Sequence, residues 1–183
     1  MKVLTLDTET TGLHADKDRI LEIALVLYDL KEKKKLKHFH SLINPQMPIS
    51  AKAQEVHKID ASMLVGKPKF KEVAENINDL LEEADRLVAH NVDFDMPFIN
   101  AELTRLGLPE CTKPTFCTMK NARSATYTGK YPKLGDLCFV CGVDYDTQKA
   151  HSALYDTAVL TKCLVKGVEI NLFNLQGDEV ESK

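Results

Sequence analysis

The sequence has no excess of positive charge: its formal net charge is -3 and its pI is near 6.1. A domain that wraps itself broadly in nucleic acid usually presents a basic face. A nucleic-acid ligand, were there one, would have to be held locally, helped by bound metal. No apolar stretch approaches the ~20 residues needed to span a bilayer. Nor does a basic segment followed by a long apolar run open the chain, so the expected location is cytoplasmic. The cysteines have no pairing scheme either. Cys111, Cys117, Cys138, Cys141 and Cys163 are an odd set without a secretion signal, and reduced thiols follow. Cys138-x-x-Cys141 has the spacing of half a zinc site, yet it has no second pair and no nearby histidine. The apolar run from Leu137 to Gly142 reads instead as a helix end closed by Gly142, with its thiols in the core.

What is present is an ordinary globular composition: 183 residues, 44% hydrophobic and 28% charged, enough for one domain with a sizeable core. That domain is expected over residues 1–170. A polar tail over 171–183, without apolar periodicity after Leu175, is expected to fray. Near the start stands Asp7-Thr8-Glu9-Thr10-Thr11-Gly12, directly after the apolar run Val3 to Leu6. A strand projects residues i and i+2 to the same face, so Asp7 and Glu9 place two carboxylates side by side. Such a pair becomes acceptable if a hard divalent cation, Mg²⁺ or Mn²⁺, sits against it.

Ile20 to Tyr28 is a nearly continuous apolar run suited to a central strand. Glu22 is its odd member, either an edge carboxylate reaching water or a group standing behind a metal site. Lys31 to Lys37 reads as a solvated hairpin tip, followed by a third strand, His38 to Ile43, which puts His38 and His40 on one face. Short loops make these strands an antiparallel meander. Ala51 to Val56 reads as a short helix, running into His57-Lys58-Ile59. Phe70 to Ala84 is an amphipathic helix, with Phe70, Val73, Ala74, Ile77, Leu80 and Leu81 as its core stripe.

The buried strand Leu87 to Ala89 opens into His90-Asn91-Val92-Asp93-Phe94-Asp95 and a helix closed by Gly107. A strand whose carboxyl end opens in this way is where α/β proteins place ligands. Asp95 stands near the start of that helix, with Asp93 as its competitor for a metal role. A last strand around Thr115 to Cys117 precedes helical stretches at Met119 to Ala125 and Leu134 to Cys141. A final helix runs to about Val165, with Ser152 as its N-cap, His151 in the loop before it and Asp156 one turn inside.

Asp7, Glu9, Asp95 and Asp156, all at strand or helix ends, and the loop histidine His151 form one set. Four converging carboxylates repel strongly, whereas two divalent ions need about that many ligands and stabilise an in-line displacement at phosphorus. A neutral histidine beside them suits removal of a proton from the attacking water. Phosphodiester hydrolysis is the chemistry that uses all five. In order and spacing the three motifs Asp7 to Gly12, His90 to Asp95 and His151 to Asp156 resemble the DEDDh branch of the DnaQ-like 3′→5′ exonucleases over roughly residues 3–165.

The resemblance implies an RNase H-like α/β fold, a mixed five-stranded sheet flanked by helices. It also implies Asp95 rather than Asp93 as the metal-binding acid, and contacts from Thr10, His57 and Phe94 to the terminal nucleotide. Pro48-Ile49-Ser50 with Val56 to Ile59, and Phe116 to Arg123, look most like the exonuclease X group, a DNA-degrading one, and more loosely like the polymerase III epsilon-type proofreading exonucleases. Lys58 stands where many proofreading members have Gly, and Cys117 where many have Asp. The expected activity is release of nucleoside 5′-monophosphates from DNA 3′ ends, single-stranded or frayed, with a replication or repair partner. The other readings are RNA 3′-end trimming by the same chemistry and a non-catalytic nucleic-acid- or polymerase-binding module.

Overall fold

Three antiparallel strands lead the chain: β1 (Lys2–Thr10), β2 (Ile20–Asp29) and β3 (Lys34–Leu42). They are followed by α1 (Ala51–His57), a short 3-10 turn at Ala61–Leu64, α2 (Phe70–Glu83), β4 (Arg86–Ala89), α3 (Val92–Arg105) and β5 (Thr115–Cys117). α4 (Thr118–Asn121), α5 (Leu134–Cys141) and α6 (Ala153–Glu169) complete the order. The computed structural model describes residues 1–126 and 129–176. β4 and β5 run parallel to β1, so the sheet has the order β3-β2-β1-β4-β5 and is mixed, with β1 at its centre.

Strand alternation sorts β1 between two layers. Leu4 and Leu6 face one core, which α2 and α3 cover; Val3 belongs to the other, which α5 and α6 cover. Asp7 and Glu9 share the parity of Val3 and Thr5, and the Thr5 hydroxyl meets Thr161 of α6. In α2 the stripe predicted from helical spacing is the buried one, Phe70, Val73, Ala74, Ile77, Leu80 and Leu81. Ile77 is fully enclosed, so truncation to Ala there costs about 2–5 kcal/mol.

Several local expectations are corrected. The lysine run is not only a tip: β3 begins at Lys34 and carries Lys35 and Lys37 along the sheet edge, where lysine tolerates exposure and discourages further strand pairing. α6 continues to Glu169, beyond Val165. The packed part of the chain passes residue 170, because Phe173 and Leu175 are buried at 4% and 5% exposure. Phe173 lies edge-on to Phe116 and fills the space that the absent side chain of Gly167 leaves. The remainder of the expected tail, 177–183, lies outside the described residues. Cys138 and Cys163 bring their sulfurs to 3.4 Å in the second core, and all five thiols are free. Among the described residues no helix is long and apolar enough to cross a membrane.

Candidate active site

The acids gather at one end of the sheet, delivered by three elements, β1, α3 and α6. β1 runs on through the first motif, so Asp7 and Glu9 project from the strand itself toward α6 rather than from a turn after it. Asp95 lies in the first turn of α3, 3% exposed. There its Oδ1 accepts the Thr8 N–H at 3.0 Å and the Thr8 hydroxyl at 2.8 Å. Asp156, 7% exposed on α6, accepts the His151 N–H on Oδ2 at 2.9 Å, while its buried Oδ1 has no partner. His151 stands in the loop before α6 with φ +62°, a left-handed backbone, and its ring is exposed. Ligand atoms of Glu9, His151 and Asp156 all lie within 4.8 Å of one another.

Among the described residues no lysine or arginine forms an ion pair with these acids, and their proton affinities are raised accordingly. Burial, followed by repulsion from Glu22, Asp156 and Asp95, pushes Glu9 up to about 9. Burial raises Asp95 to about 7 against the opposing Thr8 bonds, and raises Asp156 to about 6 against the His151 N–H. Asp7 is lifted well above the usual carboxylate range by burial and then by Asp95, Glu9 and Asp156. A set of oxygen donors with an unpartnered buried oxygen and mutual repulsion fits hard divalent cations.

Beside the acids lies a cavity of about 610 Å³ whose walls include Glu9, Thr10, His57 and Phe94. The Thr10 hydroxyl donates to the Gly12 carbonyl at 2.6 Å. A Cβ at Gly12 would stand 2.5 Å from the Asp18 carboxylate, which itself accepts the Thr11 hydroxyl and the His14 N–H. Glycine therefore lets that wall close. His57 ends α1 and is 7% exposed. Its Nδ1 accepts the Ile59 N–H, so the ring proton sits on Nε2, which lies beside the Thr10 backbone without a bond of hydrogen-bond geometry. Burial holds His57 below the usual histidine range. The Phe94 ring is braced by Phe98 at 5.1 Å between centroids.

A family model described as Exonuclease (RNase_T) matches residues 4–164. The chain belongs to this exonuclease family. Among its relatives, the DNA polymerase III subunit epsilon of Haemophilus influenzae is 34% identical over 189 residues, covering 98% of this chain and 72% of that protein. A PolC-type DNA polymerase III of Bacillus cereus is also 34% identical, over 89% of this chain but 11% of that much longer protein. A solved structure of exonuclease X in complex with 5′ overhanging duplex DNA superposes with a TM-score of 0.72 and 28% identity, covering 95% of each chain. The nuclease domain of 3′hExo, a DEDDh family member, shares the fold at a TM-score of 0.72 and 18% identity. This exonuclease is an enzyme of the 3′→5′ type, with the five-stranded RNase H-like fold.

Other candidates fall elsewhere. Asp93 is exposed, pairs with Lys120 at 2.7 Å and joins no metal-competent group among the described residues. His38 joins no metal-competent group among the described residues, and His40 is bonded to Glu22 instead. Lys58 takes the left-handed position after α1 at φ +60°, a conformation glycine adopts freely and lysine does not, which explains why glycine suits this place in proofreading relatives. Cys117, wholly buried, begins α4 without a side-chain cap. Thr8, which no sequence signal singled out between the two acids, is the anchor of Asp95. Ser152 is the N-cap residue of α6, as expected, but its hydroxyl reaches Glu22 rather than the helix's own N–H groups.

Proposed function

We propose that this exonuclease removes nucleoside 5′-monophosphates from the 3′ ends of DNA, using two divalent cations, Mg²⁺ or Mn²⁺, and His151 as general base. The observation that carries the reading is the set of four repelling, uncompensated carboxylates opening beside a nucleotide-sized cavity. Asp7, Glu9, Asp95 and Asp156 would hold the cations, which when bound polarise the phosphodiester and stabilise the attacking and leaving oxygens. The exposed His151 ring, whose backbone N–H is held by Asp156, removes a proton from the attacking water.

The cavity residues take the terminal nucleotide. The Thr10 hydroxyl has spent its proton on Gly12 and offers only lone pairs, which suits the 3′-hydroxyl. The His57 Nε2–H suits a phosphate or sugar oxygen, and the braced Phe94 ring stacks on the base. DNA as substrate is supported by the epsilon and exonuclease X relatives, and a replication or repair polymerase is the partner class they suggest.

The test is hydrolysis of matched single-stranded DNA and RNA, labelled at either end, with Mg²⁺, Mn²⁺ or EDTA. Mononucleotides should leave the DNA 3′ end, more slowly from RNA, and not in EDTA. Faster RNA trimming would move the protein to RNA processing, and no cleavage would overturn the reading. His151→Ala should lower the rate by about 10²–10⁴-fold. A loss under tenfold would assign the proton to another group.

A further inference from the structure

Glu22 is a buried carboxylate, 5% exposed, on the central strand β2, and it does not line the nucleotide-sized cavity. It faces α6 from the position opposite Glu9. Burying a fifth acid beside four repelling ones is costly unless its bonds do something the fold needs. Those bonds converge on one place. Its Oε2 accepts the Ala153 N–H, the first helical N–H of α6, at 3.0 Å, and its Oε1 meets the Ser152 hydroxyl at 3.4 Å. On the far side Oε1 meets His40 Nε2 at 2.7 Å, which fixes the carboxylate from the sheet edge. A residue over a hundred positions away in sequence thus caps α6 in place of the N-cap serine's own side chain.

We infer that Glu22 is a positioning residue for the reaction: its hydrogen bonds to Ala153 and Ser152 hold the start of α6, and through it His151 and Asp156, in register with Glu9. The inference rests on the reading of these residues as the catalytic set. His151 follows directly from this anchor, since Ser152 and Ala153 are the next two residues and the His151 N–H is itself held by Asp156. Between them, Glu22 and Asp156 fix both sides of a loop residue with left-handed backbone that has no helix or strand of its own to hold it. A general base displaced by about 1 Å loses up to about 10²-fold in rate, with substrate binding little changed. What Glu22 supplies is reach and acceptors rather than charge.

Two substitutions separate these properties. Glu22→Gln keeps the reach: its amide oxygen can accept the Ala153 N–H while its NH₂ faces the Ser152 hydroxyl and a neutral His40. Glu22→Asp keeps the charge but falls one methylene short. Both variants and the wild type are compared by kcat and KM on labelled single-stranded DNA with Mg²⁺, and by amide hydrogen exchange of segment 151–156 in metal-free protein. The expected result for Glu22→Asp is a kcat lowered by about 10–100-fold with KM within about threefold, and faster exchange at Ala153 while β1 amides are unchanged. Glu22→Gln should stay within about threefold of wild type in both measures. An inactive Glu22→Gln beside an active Glu22→Asp would overturn the inference, because charge would then be the requirement. Unchanged exchange at Ala153 in Glu22→Asp would overturn it equally. If the wild type itself cleaved nothing, the catalytic reading would fail, while the exchange measurement would still decide whether Glu22 holds the helix.

Discussion

Asp95 and Glu102 stand two turns apart on α3, each 3% exposed, and the chain treats them oppositely. Glu102 receives Arg19 at 3.0 Å and Arg105 at 3.4 Å, and its Oε1 also meets the Ile20 N–H. Arg105 reaches on to the Ala15 carbonyl, so this acid ties the loop between β1 and β2 to the helix. Asp95 receives only neutral donors from Thr8, with three more acids around it. Where an acid is structural, the chain brings its own cations. Where acids are left without one, the missing positive charge is expected from solution.

The contrast breaks most visibly through Asp7→Ala or Asp156→Ala. Either should abolish hydrolysis yet leave the metal-free fold intact, because removing one of several repelling acids relieves strain. Circular dichroism and thermal unfolding in EDTA would check the fold, and retained turnover in carefully purified Asp7→Ala would refute the proposed set. Saturating Mg²⁺ should raise the wild-type midpoint, by about 2.7 kcal/mol of stability at a hundredfold excess over Kd, and should do much less for Asp7→Ala.

Glu102→Ala should do the reverse. Stranding two arginines at a buried site costs about 2–4 kcal/mol, toward the lower end because the Arg19 side chain is 39% exposed and water screens it. Urea unfolding should show that loss while the Mg²⁺-induced stabilisation persists. A variant as stable as wild type would remove the structural half of the comparison.

A last effect is in pH. Asp156, Asp95 and Glu9 hold folded-state values of about 6, 7 and 9, each above the ordinary carboxylate value of about 4 in an unfolded chain. The folded state therefore binds more protons, and the stabilisation these groups give is complete below about pH 4 and lost as pH rises toward 9. Thermal midpoints in EDTA should carry a downward contribution across pH 5–9 that saturating Mg²⁺ flattens. A midpoint that rises with pH in EDTA and is indifferent to Mg²⁺ would contradict it.

Asp7, Glu9, His151 and Asp156 were legible as candidates because strand ends and first helical turns are recognisable from local pattern, whereas Asp95 was set above Asp93 only by the family resemblance; the α2 stripe was plain from its period. What stayed hidden depends on pairings across the chain. Nothing beside Glu22 announces that its acceptors will serve Ala153, and nothing beside Glu102 announces Arg19. Thr8 looked like filler between two acids until α3 closed over it. Phe173 and Leu175 lacked periodicity because they pack as single anchors beyond a helix end, one of them in the gap left by Gly167.

β1 is made well before α6, and three of the four acids are divided between them, Asp7 and Glu9 on the strand and Asp156 on the helix. During synthesis the β1 to β3 meander can pair as it leaves the ribosome, with Asp7 and Glu9 still bathed in water and at no electrostatic disadvantage. Only the docking of α6 crowds Asp156 against them. A ribosome-bound chain stalled before Ala153 thus lacks Asp156, and on the proposed reading of the site hydrolytic competence arrives with α6. Divalent-ion binding by such stalled chains should be weak until α6 has emerged.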